Sequence, residues 1–249
     1  MITFKNLGKL GRLGNQMFQI SAVIGHSLNN GYKYGFPEWD YNRCLNKPIN
    51  DLDSSSEYVQ FRERDPWGFI DIPKNDNLDL YGYFQNPQYF DSHRDKILEI
   101  FEPNDVINKN LDDYFAQYEG KRITAIHVRR GDYLKFPNHH PVPSMEYYSK
   151  SIQILNPETD VFMVFSDDID WCKEKFVGNF AFSEDPDEFI DLMKMSRCDN
   201  FIIANSSFSW WGSYLCKKRN KTIAPPQWVG NEYRNKEWKQ VYRKDMIIL

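Results

Sequence analysis

Cysteine is scarce and scattered in this chain. Cys44, Cys172, Cys198 and Cys216 fall at neither C-x-x-C nor metal-ligand spacing, which excludes a cysteine-held metal and a disulfide framework. Four reduced thiols suit a cytoplasmic protein. No uninterrupted apolar run comes near the roughly 18 residues of a membrane helix, and Lys5, Lys9 and Arg12 interrupt the amino-terminal segment where a leader would show one. A large excess of one charge is also missing. The net charge of −4 leaves no global field to gather nucleic acid or anionic lipid, so any anion the protein binds must be held by a local cluster. Internal repeats and low-complexity tracts are absent as well.

Aromatic residues, by contrast, make up 16% of the chain, as 18 Phe, 15 Tyr and 7 Trp. Such a share fills cores, and it also suits a carbohydrate site, where flat rings meet the C–H faces of sugars; composition does not separate the two. With 249 residues, the chain is long enough for two domains with cores of their own. Its first half opens with a strand at 2–4, a glycine-rich turn and an apolar-periodic helix over 15–28. Residues 40–77 are polar, aromatic and proline-punctuated, the pattern of a long loop region. A strand over 78–84 and helices over 87–101 and 104–118 follow.

Glu119-Gly120 reads as a boundary. Beyond it strands at 123–128, 161–166, 180–182, 200–204 and 222–224 alternate with helices at 144–155, 169–176, 186–197 and 208–218. This alternation predicts an α/β fold with a parallel sheet covered on both faces. The expected organisation is a first domain over 1–119, a second over 120–226, and a tail over 227–249 that packs back on the body. In such sheets ligands bind at the carboxyl ends of strands, beside helix amino termini. Three strand ends carry the chemistry.

The first is His127-Val128-Arg129-Arg130-Gly131-Asp132-Tyr133. Neighbours on a strand point to opposite faces, so Arg129 and Arg130 are expected to serve different partners. One faces a ligand, with a guanidinium fork that matches phosphate and stays charged at any working pH. The other braces the loop, with Asp132 as the nearest carboxylate; an ordinary surface pair between Arg130 and Asp132 is the plainer reading. The second strand end carries Asp167-Asp168, which could bind a divalent cation, but a helix cap or an acceptor for ribose or base is preferred. The third is Asn205-Ser206-Ser207-Phe208-Ser209-Trp210-Trp211-Gly212, where hydroxyls and free N–H groups at a helix start make either a simple cap or an anion site.

Near the amino terminus, Gly8, Gly11 and Gly14 at three-residue spacing form neither a dinucleotide fingerprint nor a Walker loop. The turn either lets the backbone approach a ligand, with Asn15 and Gln16 offering amides, or is a tight turn with an Asn cap. His139-His140 lies in a Pro-flanked loop without a third ligand at metal spacing and reads as a solvated pair.

Taken together, these segments resemble the α-1,2-fucosyltransferases of glycosyltransferase family 11. The resemblance runs through Gly11-Arg12-Leu13-Gly14-Asn15-Gln16-Met17-Phe18-Gln19, Leu80-Tyr81-Gly82-Tyr83-Phe84-Gln85 with Tyr89-Phe90, the arginine segment, Ser166-Asp167-Asp168 and the serine segment, in order over residues 8 to about 226. Gly11-Arg12 departs from the Gly-Gly usual there. The resemblance implies a GT-B fold, two Rossmann-like domains facing a cleft, no metal and no other cofactor. It implies inverting transfer of fucose from GDP-fucose to the 2-hydroxyl of a terminal galactose on an oligosaccharide acceptor. Arg129 takes the catalytic role, and His127, Asp168, Ser206, Ser207 and Phe208 surround the nucleotide; Arg130 and Asp167, from the same loops, join them as substrate-binding candidates. Asn15 and Gln16 approach it from the first domain. Asp132 is a candidate base. Another linkage, a peptide acceptor, or a binding protein without turnover are the competing readings.

Overall fold

The computed structural model describes residues 1–218 and 220–249. The chain divides into two compact units, residues 1–108 with 236–243, and residues 109–235 with 244–249. Among the described residues no helix is long and apolar enough to cross a membrane.

The first unit holds three parallel strands, β1 Ile2–Thr3, β2 Val59–Arg62 and β3 Leu78–Tyr81, in the order β1-β3-β2. Its main helix, α1 Leu13–Asn30, is longer than the predicted 15–28 and buries Met17, Phe18, Ile20, Val23 and Ile24. It stops at Gly31, which adopts φ 70° and donates its N–H to the Ser27 carbonyl, a left-handed cap that glycine makes without strain. Gly25 faces the chain at 89–90 so closely that a Cβ there would lie 2.1 Å from the Tyr89 carbonyl oxygen. The 40–77 region is not all loop: β2 lies within it, an exposed strand that pairs residue by residue with β3 from Val59↔Leu78 to Arg62↔Tyr81. The helix predicted over 87–101 is interrupted. Two 3₁₀ turns, Pro87–Tyr89 and Asp91–His93, flank Phe90 at φ −145°, and only α2 Arg94–Ile100 is α-helical. Helix α3 Asp105–Phe115 leads from the first unit into the second.

In the second unit, strands β4 Ile123–Val128, β5 Val161–Ser166, β6 Phe180–Phe182, β7 Asn200–Ile202, β8 Thr222–Ala224 and β9 Met246–Ile248 form one parallel sheet. Their order is β6-β5-β4-β7-β8-β9. Helices α4 Met145–Leu155, α5 Ile169–Lys175, α6 Glu188–Ser196 and α7 Ser207–Leu215 connect the strands. All six residues of β4 are buried, as expected of a central parallel strand covered on both faces. Ile126 and Val128 join Tyr148 of α4, Cys172 of α5, Val164, Ile202 and Ile223 in one apolar layer. On the opposite side His127 stacks on Phe208 of α7. The expected α/β architecture is therefore present, with a parallel sheet in each unit.

In this unit one strand escaped the sequence pattern: β9 comes from the 227–249 tail and pairs with β8 from Thr222↔Met246 to Ala224↔Ile248. The chain leaves β4 toward β5 and β6 on one side, then returns to build β7, β8 and β9 on the other. The order reverses between β4 and β7. The carboxyl ends of strands at such a reversal are the position where open α/β sheets bind ligands.

Candidate active site

The β4 strand end delivers both arginines, and alternation separates them. Carried past Val128, it sends Arg130 toward α5, where the guanidinium lies 3.8 Å from the Trp171 ring centroid and Nε donates to Asp168 at 3.0 Å. Arg129 turns elsewhere. Its guanidinium reaches Asp132 at 2.7 Å and Asp167 at 3.1 Å, and it lies 5.5 Å from the Tyr133 ring centroid. Asp132 therefore pairs with Arg129, not with Arg130 as the sequence suggested. The 129–132 turn is short enough to bring the i and i+3 side chains together, whereas Arg130 is drawn to the next strand end. Arg130 is the bracing arginine, but through Asp168 and Trp171.

Asp167 ties the two strand ends. Its Oδ1 accepts the Arg130 backbone N–H at 2.9 Å while Oδ2 takes Arg129. Gly131 lets Asp167 come this close: a Cβ would sit 2.5 Å from its Oδ2 and push the carboxylate aside. Asp168 occupies the position before α5, yet its side chain caps nothing and goes to Arg130 instead. The cap expected for this residue is thus replaced by an ion pair.

The third strand end adjoins the first. Ser206 sits before the first turn of α7 without a side-chain cap bond, so the cap reading fails here too and the first-turn N–H groups keep no side-chain partner from it. The Tyr133 hydroxyl donates to the Asn205 carbonyl at 2.9 Å, which fastens the arginine loop to the serine turn. Phe208 stacks on His127 with ring centroids 5.2 Å apart. His127 is 4% exposed, and burial, together with the charge of Arg129, pushes its pKa down to about 3. It is a neutral ring at any working pH. Its Nδ1 and the Asn205 Oδ1 are both buried without a hydrogen bond among the described residues. Buried polar atoms in that condition are costly unless a ligand engages them.

Asn15 and Gln16 lie in the first unit, whereas the nine other predicted site residues lie in the second. Helix α1 begins at Leu13 with Arg12 before it, so Asn15 is not a cap. Its Oδ1 instead accepts from Gln85 at 2.6 Å. Gly11, at φ 77°, makes room for it: a Cβ there would lie 2.5 Å from Asn15 Nδ2. Gln16 is buried, and both ends of its amide are taken, by the Gly11 carbonyl at 2.9 Å and by Trp39 Nε1 at 2.6 Å. Sequence reasoning missed Glu63. Its carboxylate accepts from the backbone N–H groups of Tyr83 at 2.6 Å and Phe84 at 2.9 Å, holding Phe84 at φ 51° beside Gln85. Burial pushes the Glu63 pKa up to about 7. A carboxylate inside a region read as loop left no signal. Trp171 and His140 were missed as well; Trp171, three residues after Asp168 at a helix start, was the more recoverable of the two.

The model of glycosyl transferase family 11 matches residues 43–249. An Escherichia coli alpha-1,2-colitosyltransferase is 37% identical over 64% of this chain and 59% of its own length. The O-antigen biosynthesis glycosyltransferase WbnK of Escherichia coli is 36% identical over 63% of this chain and 57% of its own. Human galactoside alpha-(1,2)-fucosyltransferase 1 is 25% identical over 82% of this chain and 63% of its own. The chain thus spans about three fifths of the length of these relatives. Among solved structures, POFUT1 in complex with GDP-fucose superposes with a TM-score of 0.57 at 14% identity, covering 90% of this chain and 97% of that one. A mutant of Arabidopsis thaliana FUT1 in complex with GDP gives 0.57 at 11% identity, covering 90% and 70%. The fold is shared with these fucosyltransferases.

Proposed function

Because the chain belongs to glycosyltransferase family 11, we propose that it transfers L-fucose from GDP-fucose to the 2-hydroxyl of a terminal galactose, with inversion and without a metal. The observation that carries this reading is that Tyr133, under the Arg129 guanidinium, fastens the arginine loop to Asn205 before α7 at the sheet's reversal point, where a His127 nitrogen is buried without a hydrogen bond among the described residues.

Breaking the bond between the sugar's anomeric carbon and the β-phosphate oxygen puts negative charge on the departing diphosphate and positive charge on the ring. Fixed donors aimed at the phosphate stabilise that state without reorganising. Arg129, held by Asp132 and Asp167, turns its remaining N–H groups to the phosphate, while the Ser206 and Ser207 hydroxyls and the first-turn N–H groups of α7 face the same charge. Arg130 holds one oxygen of Asp168 and leaves the other for ribose or base, while Asp167, with both oxygens engaged, holds the loop. His127, neutral, offers one nitrogen to the donor, and Phe208 walls the pocket. Asn15 is an amide of the first unit held ready by Gln85, and Gln16 shapes its turn. Attack by the acceptor hydroxyl on the face opposite the phosphate converts a β-linked donor into an α product.

A second donor, a nucleotide-linked colitose, is favoured by the 37% identity to the alpha-1,2-colitosyltransferase. Colitose lacks one fucose hydroxyl, and the phosphate chemistry is unchanged.

Calorimetry tests the metal-free donor site. GDP is expected to bind with the same affinity in the presence of excess chelator as in its absence. Loss of binding and of turnover with chelator would overturn the metal-free reading and return Asp167-Asp168 to the role of cation ligands.

A further inference from the structure

An inverting transfer needs a group to take the proton of the attacking hydroxyl, and Asp132 is engaged by Arg129 at 2.7 Å. His139 and His140 are adjacent in sequence but differ in their surroundings. His139 is tied down: Nε2 meets Glu232 at 2.7 Å, Nδ1 meets the Tyr233 hydroxyl at 3.1 Å, and its carbonyl accepts from Gly230 at 2.8 Å. His140 is half-buried and lies flat on Tyr133, with ring centroids 4.5 Å apart and planes within 15°. Neither of its ring nitrogens makes a hydrogen bond among the described residues. Its backbone N–H donates to Phe136 at 2.9 Å, fixing the loop beneath the ring.

The platform under His140 is part of the site. Tyr133 is the residue whose ring Arg129 overlies and whose hydroxyl holds Asn205 at the start of the serine turn. An imidazole with both nitrogens unengaged is therefore fastened to the same loop that carries the phosphate-binding arginine. Resting on the transferase reading above, we propose that His140 is the general base that deprotonates the acceptor hydroxyl.

In this step the hydroxyl oxygen forms a bond to the anomeric carbon as the bond from that carbon to the phosphate oxygen breaks. GDP leaves with the electron pair, and the hydroxyl proton passes to one His140 nitrogen, which then releases it to water. The base must be neutral to act. Burial lowers the His140 pKa below its ordinary 6.5; of the charges facing it, Asp132 raises it while His139 and Arg129 lower it. The lowered value keeps the ring unprotonated at neutral pH.

The test compares His140→Ala and His140→Gln with the parent, using GDP-fucose and a β-galactoside at saturation. The expected result is a fall in kcat of about 100-fold or more in both variants, the range of general base catalysis. Calorimetric GDP affinity and melting temperature should be unchanged. The parent's kcat/KM should fall on the acid side of 6.5, this limb should vanish in the variants, and added imidazole should restore part of the His140→Ala rate. Variants within about threefold of the parent, or a retained acid limb, would overturn the assignment of the base and leave the donor site standing. A parent that binds GDP yet transfers fucose to no hydroxyl would instead overturn the transferase reading, and this assignment with it.

Discussion

Arg129→Ala is expected to lower fucosyl transfer by about 100- to 1,000-fold, the loss that follows removal of one preorganised donor to a developing anion. The fold should survive. Arg129 pairs with Asp132, which is 47% exposed, and Asp167, which keeps the Arg130 backbone N–H after the substitution. The pair with Asp132 contributes about 1 kcal/mol or less, a change of about 2–4 °C in melting temperature for a chain of this size, and the pair with Asp167, its side chains 14% and 23% exposed, adds to that loss. Arg130→Ala makes the contrast. It removes a guanidinium stacked 3.8 Å from the Trp171 ring centroid and paired with Asp168, so it should cost more stability than Arg129→Ala. Steady-state rates and thermal melts of the two variants, measured together, separate the roles. Equal losses of rate with equal melting temperatures would mean that both arginines merely hold the loop.

The largest expected loss of stability lies in the first unit. Gly25→Ala should destabilise the protein by about 3 kcal/mol, the upper end of what an added methyl does in a filled core. The Cβ would sit 2.1 Å from the Tyr89 carbonyl oxygen and 2.8 Å from the Phe90 Cα, both backbone atoms that no rotamer change can move away. Phe90 is fully buried and packs edge-on against Phe18 of the same helix, so α1 cannot shift outward without opening that contact. The better helix propensity of alanine, about 1 kcal/mol, works in the opposite direction and is the smaller effect. Denaturant titration measures the difference. A variant as stable as the parent would show that α1 and the 89–90 segment can separate freely.

These two residues also mark what the sequence makes legible. Strand β5 was readable because it is apolar from Val161 to Phe165, and β4 because its β-rich residues alternate, and both matched their predicted limits. Strand β9 was not: Met246–Ile248 follows a lysine-rich stretch, and its pairing with β8 is a long-range choice that no local pattern records. The same applies to β2, exposed and alternating within a proline-rich region. At the site, motif order identified the three strand ends but not who pairs with whom. Asp132 is nearest to Arg130 in sequence, yet Arg130 takes Asp168, 38 residues away. Gly25 shows nothing in sequence beyond a small residue in a helix; its need arises from a carbonyl 64 residues on. His140 read as solvated because the ring it stacks on is brought beneath it only by the folded loop.

The central claim is the reaction, and one product analysis tests it most directly. The protein is incubated with GDP-fucose and, in parallel, with lactose, N-acetyllactosamine, a folded peptide acceptor and a glucosamine acceptor, and the products are assigned by NMR. The account predicts α-fucose on the 2-hydroxyl of the terminal galactose. Transfer to the peptide or to the glucosamine hydroxyl with galactose left untouched, or a β linkage, would contradict it.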